Sequence, residues 1–172
     1  MSKASSQNSI RVHIIVVSDR AASGERTDAT GPALSEFLKT KNIQTVQAQI
    51  VPDERDQIAD ALLRMCDEAD LILTAGGTGL AARDVTPEAT SQVVERLAPG
   101  IAEAMRAAGL RVTPHAMLSR GIAGVRGKTL IINLPGSPKG AVESLEAVWE
   151  AIPHAVALLR GPVADKDHAV AT

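Results

Sequence analysis

Residues 70–87, DLILTAGGTGLAARDVTP, constrain this chain more than any other stretch. Leu71-Ile72-Leu73 is an apolar run too short for a helix and bounded by turn residues, which predicts a buried parallel strand. It runs into Gly76-Gly77-Thr78-Gly79, three glycines in four residues. A backbone without Cβ atoms turns sharply and approaches a ligand closely. Its successive N–H groups can form a concavity for phosphate oxygens. Arg83 and Asp84 follow. Arginine pairs with phosphate, and aspartate can hold a metal ion that bridges phosphates. Thr86-Pro87 reads as a helix N-cap and first helical residue. A plain strand-to-helix turn with a solvated charge pair would look the same locally.

With 172 residues the chain is one domain, large enough for a proper core. Its net charge of -2 gives no electrostatic case for nucleic-acid binding. No apolar run approaches the roughly 18 residues of a membrane span. The opening MSKASSQNSIR is polar where a signal peptide is apolar, and the single Cys66 cannot form an internal disulfide, so a cytoplasmic location is expected. Phe37 and Trp149 are its only Phe, Trp or Tyr residues. The core must be aliphatic, and a ring ligand must be held by backbone groups, aliphatic side chains and its phosphates.

In chain order, residues 1–9 are polar and expected to be disordered, and residues 10–17 (IRVHIIVV) read as the first strand. Ser18-Asp19-Arg20 falls at its carboxyl end, where open α/β sheets bind ligands. Residues 21–31 read as a loop, and a helix is expected over 32–41 with Leu34, Phe37 and Leu38 on one face. Residues 43–51 alternate like an edge strand, closed by Pro52-Asp53-Glu54. Asp53 reads either as the N-cap of the next helix, whose apolar stripe is Ile58, Leu62 and Met65, or as a metal-binding carboxylate beside Asp84. Helices follow over 87–97 and 101–110, with Pro99-Gly100 as a break; residues 113–120 read as loop plus a short element and 121–127 as a turn. Residues 129–134 (TLIINL) are another buried strand, turning through Pro135-Gly136-Ser137-Pro138, with Ser137 as N-cap, into a final helix to Arg160 that Pro153 is expected to kink. Residues 161–172 form a polar tail, expected to be flexible. The pattern predicts one α/β domain with a mostly parallel sheet.

Several motifs fail on context. Residues 77–82 match G-x-G-x-x-A, but a nicotinamide-binding Rossmann site needs this loop after the first strand and an acid at the next strand's end. Residues 121–129 resemble a P-loop, but the required first glycine is Ile122 and the segment leads into a strand. His13, His115, His154 and His168 have no ligand spacing. What remains is a rim of glycines, hydroxyls, carboxylates and arginines, the parts of a Mg-nucleotide site.

Residues 74–90 (TAGGTGLAARDVTPEAT), preceded by VPDE (51–54) and followed by MLSRGIAGVRGKTLIINLPGSPKG (117–140), resemble the molybdopterin adenylyltransferase family, with SDR (18–20) and Gly31-Pro32 fitting its N-terminal part. The resemblance spans residues 10–160. It implies a three-layer α/β/α single domain, often assembled as a homotrimer. It also implies Mg²⁺-dependent transfer of AMP from ATP to the terminal phosphate of molybdopterin, with pyrophosphate released. The expected partners are these two small molecules and a downstream metal-insertion protein. The family's two important aspartates fall on Asp53 and Asp84, the expected Mg²⁺ ligands. Gly76, Gly77, Thr78 and Gly79 carry over as the ligand loop, and Ser119 as a residue near the pterin. Ser18, Asp19, Asn133, Pro135 and Gly136 carry over as pocket lining, with Arg20, Arg83 and Arg120 as the cations placed to help. Gly109 stands where the family usually has serine, which removes one possible pterin contact. Some MoaB-type relatives keep the pocket without clear adenylylation, so a non-catalytic molybdopterin-binding protein is the alternative.

Overall fold

The computed structural model describes residues 9–161. The expected disordered N-terminus and flexible tail therefore lie outside the described residues, except for Ser9 and Gly161. A six-stranded sheet has the order β2-β1-β3-β6-β5-β4. β1 (Val12–Val17), β2 (Thr45–Val51), β3 (Leu71–Ala75) and β6 (Thr129–Leu134) run parallel, while β5 (Ala123–Arg126) and β4 (Arg96–Leu97) add an antiparallel edge. β1, β3 and β6 are buried along their whole length, as strands covered on both faces require. Among the described residues no helix is long and apolar enough to cross a membrane.

The period-2 alternation of these strands feeds two cores. Val12, Ile14, Leu71, Leu73, Leu130 and Ile132 pack under α2 (Thr30–Thr40), α5 (Pro99–Leu110), α6 (Pro138–Val148) and α7 (Ile152–Arg160). Ile15, Val17, Ile72 and Ile131 pack under α3 (Arg55–Cys66) and α4 (Thr86–Val93). The result is the expected three-layer arrangement. Phe37 and Trp149 meet edge to face, with ring centroids 5.8 Å apart. His13 is fully buried, neither ring nitrogen has a hydrogen-bond partner among the described residues, and burial lowers its pKa.

Several boundaries differ from the sequence reading. A four-residue helix, α1 (Asp19–Ala22), stands where a loop was expected, capped by the Ser18 hydroxyl accepting from Ala21 N–H at 3.2 Å. Pro99-Gly100 opens α5 rather than breaking the chain, because proline suits the first turn. The expected helix over 87–97 ends at Val93, and Arg96–Leu97 pairs with β5. Residues 123–126 form β5, not a turn; the turn is confined to Gly127-Lys128. Gly124 disguised this strand, but an added Cβ there would lie 2.8 Å from the Arg96 carbonyl oxygen. The final helix is interrupted by a 3₁₀ turn at Trp149–Ala151, just ahead of Pro153.

At the amino ends of the strands, Asp70 clasps three segments. Its carboxylate accepts from the Arg11 backbone N–H at 2.8 Å and from the Arg11 and Arg160 guanidinium groups at 3.1 and 2.7 Å. Burial works to raise the Asp70 pKa, but the hydrogen bonds from Arg160 and Arg11 outweigh it and hold the carboxyl far below its usual range. A depressed native pKa contributes stability above the unfolded value, near 4, that is lost as pH falls toward the native one. Asp70→Asn should cost about 2–3 kcal/mol at pH 7, below the roughly 3–5 kcal/mol of a fully buried pair because both arginines retain solvent access. Urea unfolding at pH 7 and pH 3 tests this, the deficit narrowing at the lower pH.

Candidate functional site

The expected rim forms at the carboxyl ends of β2, β1, β3 and β6. β1 pairs with β2 on one side and β3 on the other, so the chain reverses direction across the sheet there and a crevice opens. Ser18 and Asp19 follow β1, Asp53 follows β2, and the glycine loop follows β3.

Asp53 and Asp19 are locked to each other reciprocally. Asp19 N–H donates to Asp53 Oδ2 at 2.8 Å, and Asp53 N–H donates to Asp19 Oδ1 at 3.0 Å. The helix-cap reading of Asp53 is thereby corrected: Glu54 occupies the cap position of α3, with no side-chain cap bond. Asp84 Oδ2 accepts from Ala81 N–H at 3.0 Å. Both carboxylates lie against the glycines. A Cβ on Gly77 would come within 3.1 Å of Asp53 Oδ1, and one on Gly79 within 2.8 Å of Asp84 Oδ2. Burial raises the Asp53 pKa, and the negative charges of Asp19 and Asp84 raise it further. A cation between Asp53 and Asp84 would relieve that cost. Each keeps one oxygen with no hydrogen bond among the described residues. Two carboxylates suit Mg²⁺, which takes its remaining ligands from water and substrate phosphates.

Gly76 ends β3 with its N–H donating to the Leu134 carbonyl oxygen at 3.1 Å. Beyond it, the N–H groups of Gly77, Thr78 and Gly79 have no internal acceptor among the described residues. Three consecutive donors without an internal acceptor are what an anion-binding concavity requires. The Thr86 hydroxyl donates to the Gly76 carbonyl oxygen at 2.8 Å, so Thr86 ties the loop rather than capping α4.

The arginines depart from expectation. Arg83 reaches back to Asp19 at 2.8 Å and Glu54 at 2.9 Å, joining the Asp84 loop to the Asp53 loop. Arg120 donates to the carbonyl oxygens of Gly79 at 2.7 Å and Asp84 at 2.6 Å and pairs with Glu88, holding both ends of the loop. Arg20 pairs with Glu25 at 3.0 Å. Arg83 and Arg120 brace the loops, and Arg20 makes an exposed surface pair.

Two cavities adjoin at Ser137. One, of about 360 Å³, contains Ser18, Asp53, Gly76, Gly77, Asp84 and Gly136 in its lining. The other, of about 640 Å³, lies between α5 and α6 and includes Thr78, Gly79, Ser119 and Pro135. Gly109 lines the larger one, and a Cβ there would sit 2.7 Å from the Ala116 Cβ, so glycine admits the 3₁₀ turn at Pro114–Leu118. Two expected lining residues lie elsewhere. Asp19 faces away from both cavities, paired with Arg83. Asn133 is 2% exposed. Its amide donates to the Thr74 and Thr90 hydroxyls at 2.9 and 2.8 Å and accepts from Ile122 N–H at 3.2 Å. It positions strand and helix beneath the site, because it falls on the face of β6 that packs against α4. Thr30, whose hydroxyl stands where the family often has a serine hydroxyl, donates to the Gly136 carbonyl oxygen at 2.8 Å; sequence reading missed Asp28, which accepts from Thr30 N–H at 2.8 Å. The Asp-x-Thr-Gly spacing ahead of a helix was the available signal.

A family model described as "Probable molybdopterin binding domain" matches residues 13–154. The chain belongs to this molybdopterin-binding family. Within the family it is 47% identical over 156 residues to a molybdopterin adenylyltransferase of Helicobacter pylori, covering 88% of this chain and 89% of that protein. It is 41% identical to the molybdopterin adenylyltransferase of Escherichia coli, covering 90% and 88%. The solved molybdopterin biosynthesis enzyme MoaB of Thermus thermophilus superposes with a TM-score of 0.84 at 54% identity, covering 89% of this chain and 98% of that one.

Proposed function

We propose that the protein adenylylates molybdopterin in molybdenum cofactor biosynthesis, using Mg-ATP. The observation that carries this reading is that Asp53 and Asp84 lie against a glycine loop whose three N–H groups have no internal acceptor among the described residues, beside the junction of two cavities. The larger, less polar cavity takes the pterin, with Ser119 at its wall. The smaller takes the triphosphate, and the substrates meet over Gly77–Gly79.

An oxygen of the pterin's terminal phosphate attacks the α-phosphorus of ATP. The bond from that phosphorus to the bridging oxygen breaks, and its electron pair leaves with pyrophosphate. The attacking phosphate is already largely ionised at neutral pH, its second pKa being about 6, so no histidine or cysteine base is required. The principal barrier is repulsion between two anions. Mg²⁺ held by Asp53 and Asp84 would neutralise charge on the phosphates. The N–H groups of Gly77, Thr78 and Gly79 would add fixed donors that need no reorganisation during reaction. Arg120 and Arg83 act indirectly, fixing the loop so that these donors and both carboxylates converge. The family resemblance adds a homotrimer and a downstream metal-insertion partner to this reading.

The test is a reconstituted assay with metal-free molybdopterin, ATP labelled at the α-phosphate and Mg²⁺. Label should appear on the pterin with pyrophosphate released, and a chelator should abolish both. Tight pterin binding without transferred label would replace this reading with the binding-only one.

A further inference from the structure

The site as described holds two carboxylates and must accommodate two polyanions, yet the arginines nearest in sequence are engaged. Arg20, Arg83 and Arg120 are each paired with acidic side chains. Arg26 differs from all three. It is the one basic residue among those lining the carboxylate cavity. Its guanidinium has no hydrogen-bond or ion-pair partner among the described residues, and the side chain is exposed. Its backbone is fixed nonetheless: Arg26 N–H donates to the Arg20 carbonyl oxygen at 3.0 Å, and Gly24 supplies the positive φ of 78° that folds the loop over. Asp28, two residues on, is occupied with the N–H groups of Thr30 and Gly31, at 2.8 and 3.1 Å.

We propose that Arg26 binds the β- and γ-phosphates of the nucleotide and receives the pyrophosphate as it leaves. This rests on the adenylyltransferase reading and assigns its leaving-group site. Displacement at phosphorus proceeds in line, so attacking and leaving oxygens lie on opposite sides of the α-phosphate. The attacking pterin phosphate enters from the larger cavity, past Thr78, Gly79 and Ser137. The leaving group therefore departs into the smaller cavity. Arg26 lines only that cavity, while the larger has its own basic residue, Arg111. As the bond to the bridging oxygen breaks, negative charge builds on pyrophosphate, where a guanidinium can form two parallel hydrogen bonds.

The experiment compares wild type, Arg26→Ala and Arg26→Lys in two measurements: steady-state AMP transfer, and calorimetric binding of Mg-pyrophosphate to the full chain. Arg26→Ala should weaken pyrophosphate binding and lower kcat/KM for ATP by roughly tenfold each, the lower end for a charged hydrogen bond because the site is open to solvent. KM for molybdopterin and the thermal midpoint should hold, and Arg26→Lys should recover part of the loss. Transfer by the wild type with unchanged ATP kinetics in Arg26→Ala would overturn this assignment alone. No transfer by the wild type, with pyrophosphate binding still weakened by Arg26→Ala, would remove the adenylyltransferase reading and keep the phosphate site. A wild type that binds no pyrophosphate, or a variant that changes only the KM for molybdopterin, would overturn the assignment.

Discussion

Asp84→Asn and Asp53→Asn should each lower AMP transfer by about a thousandfold, the few kcal/mol of charge stabilisation that a correctly held metal ion supplies. Asparagine isolates the charge from the architecture. The oxygen that accepts from Ala81 N–H in Asp84, or from Asp19 N–H in Asp53, can be retained as an amide oxygen. What is lost is the negative charge, with an amide NH₂ in place of the oxygen that makes no hydrogen bond among the described residues. For Asp53→Asn, stability should not fall with activity. The Asp53 pKa is raised by burial and by its acidic neighbours, so the ionised form costs folding energy at pH 7 and its neutral replacement is neutral to stabilising. Kinetics and thermal unfolding on the same preparations check both halves. A variant that loses stability in step with activity would mark these residues as scaffold, and one that keeps full turnover would end their assignment as metal ligands.

Gly76→Ala should have the largest effect on folding. Gly76 has a φ of 109°, outside the region that residues with a Cβ occupy readily. An added Cβ would also overlap the Val17 carbonyl oxygen, a backbone atom at the end of β1 that cannot rotate away. Just past the end of the adjoining β6, a Cβ on Gly136 would lie 3.2 Å from the Gly76 Cα. The three strand ends are thus pressed together where only glycine fits. The substitution should cost about 3–5 kcal/mol. That lowers the thermal midpoint by about 10 °C in a domain of this size. Differential scanning calorimetry reads the shift. Residual activity should be lost beyond the unfolded fraction, because the Thr86 hydroxyl anchors to the Gly76 carbonyl oxygen. A shift below 2 °C would mean that the loop reorganises freely, contrary to the close contact of its neighbours.

The glycine loop and the carboxylates were legible because their signals are local. Three glycines after an apolar run announce a sharp turn wherever they stand, and the Asp84 loop folds back within a few residues. The strand periodicity of residues 12–17, 71–75 and 129–134 likewise fixed both core faces, since alternation alone decides which side chains share a side. β5 was missed because its glycine answers a neighbouring strand that comes from elsewhere in the chain.

Local pattern was thus enough for the layered α/β architecture, the loop and the two aspartates beside it. Tertiary structure alone decided what the long polar side chains do. Arg83 finds Asp19 across 64 positions of sequence and Arg120 finds Gly79 across 41, turning apparent phosphate ligands into braces. Asn133 is turned inward by the phase of its strand, to Thr74 and Thr90. Arg26, with no such partner among the described residues, lines the smaller cavity. The physical reason is range. Backbone conformation and periodicity are set by near neighbours, whereas a guanidinium or amide on a flexible stem takes its partner from whatever the fold brings within reach.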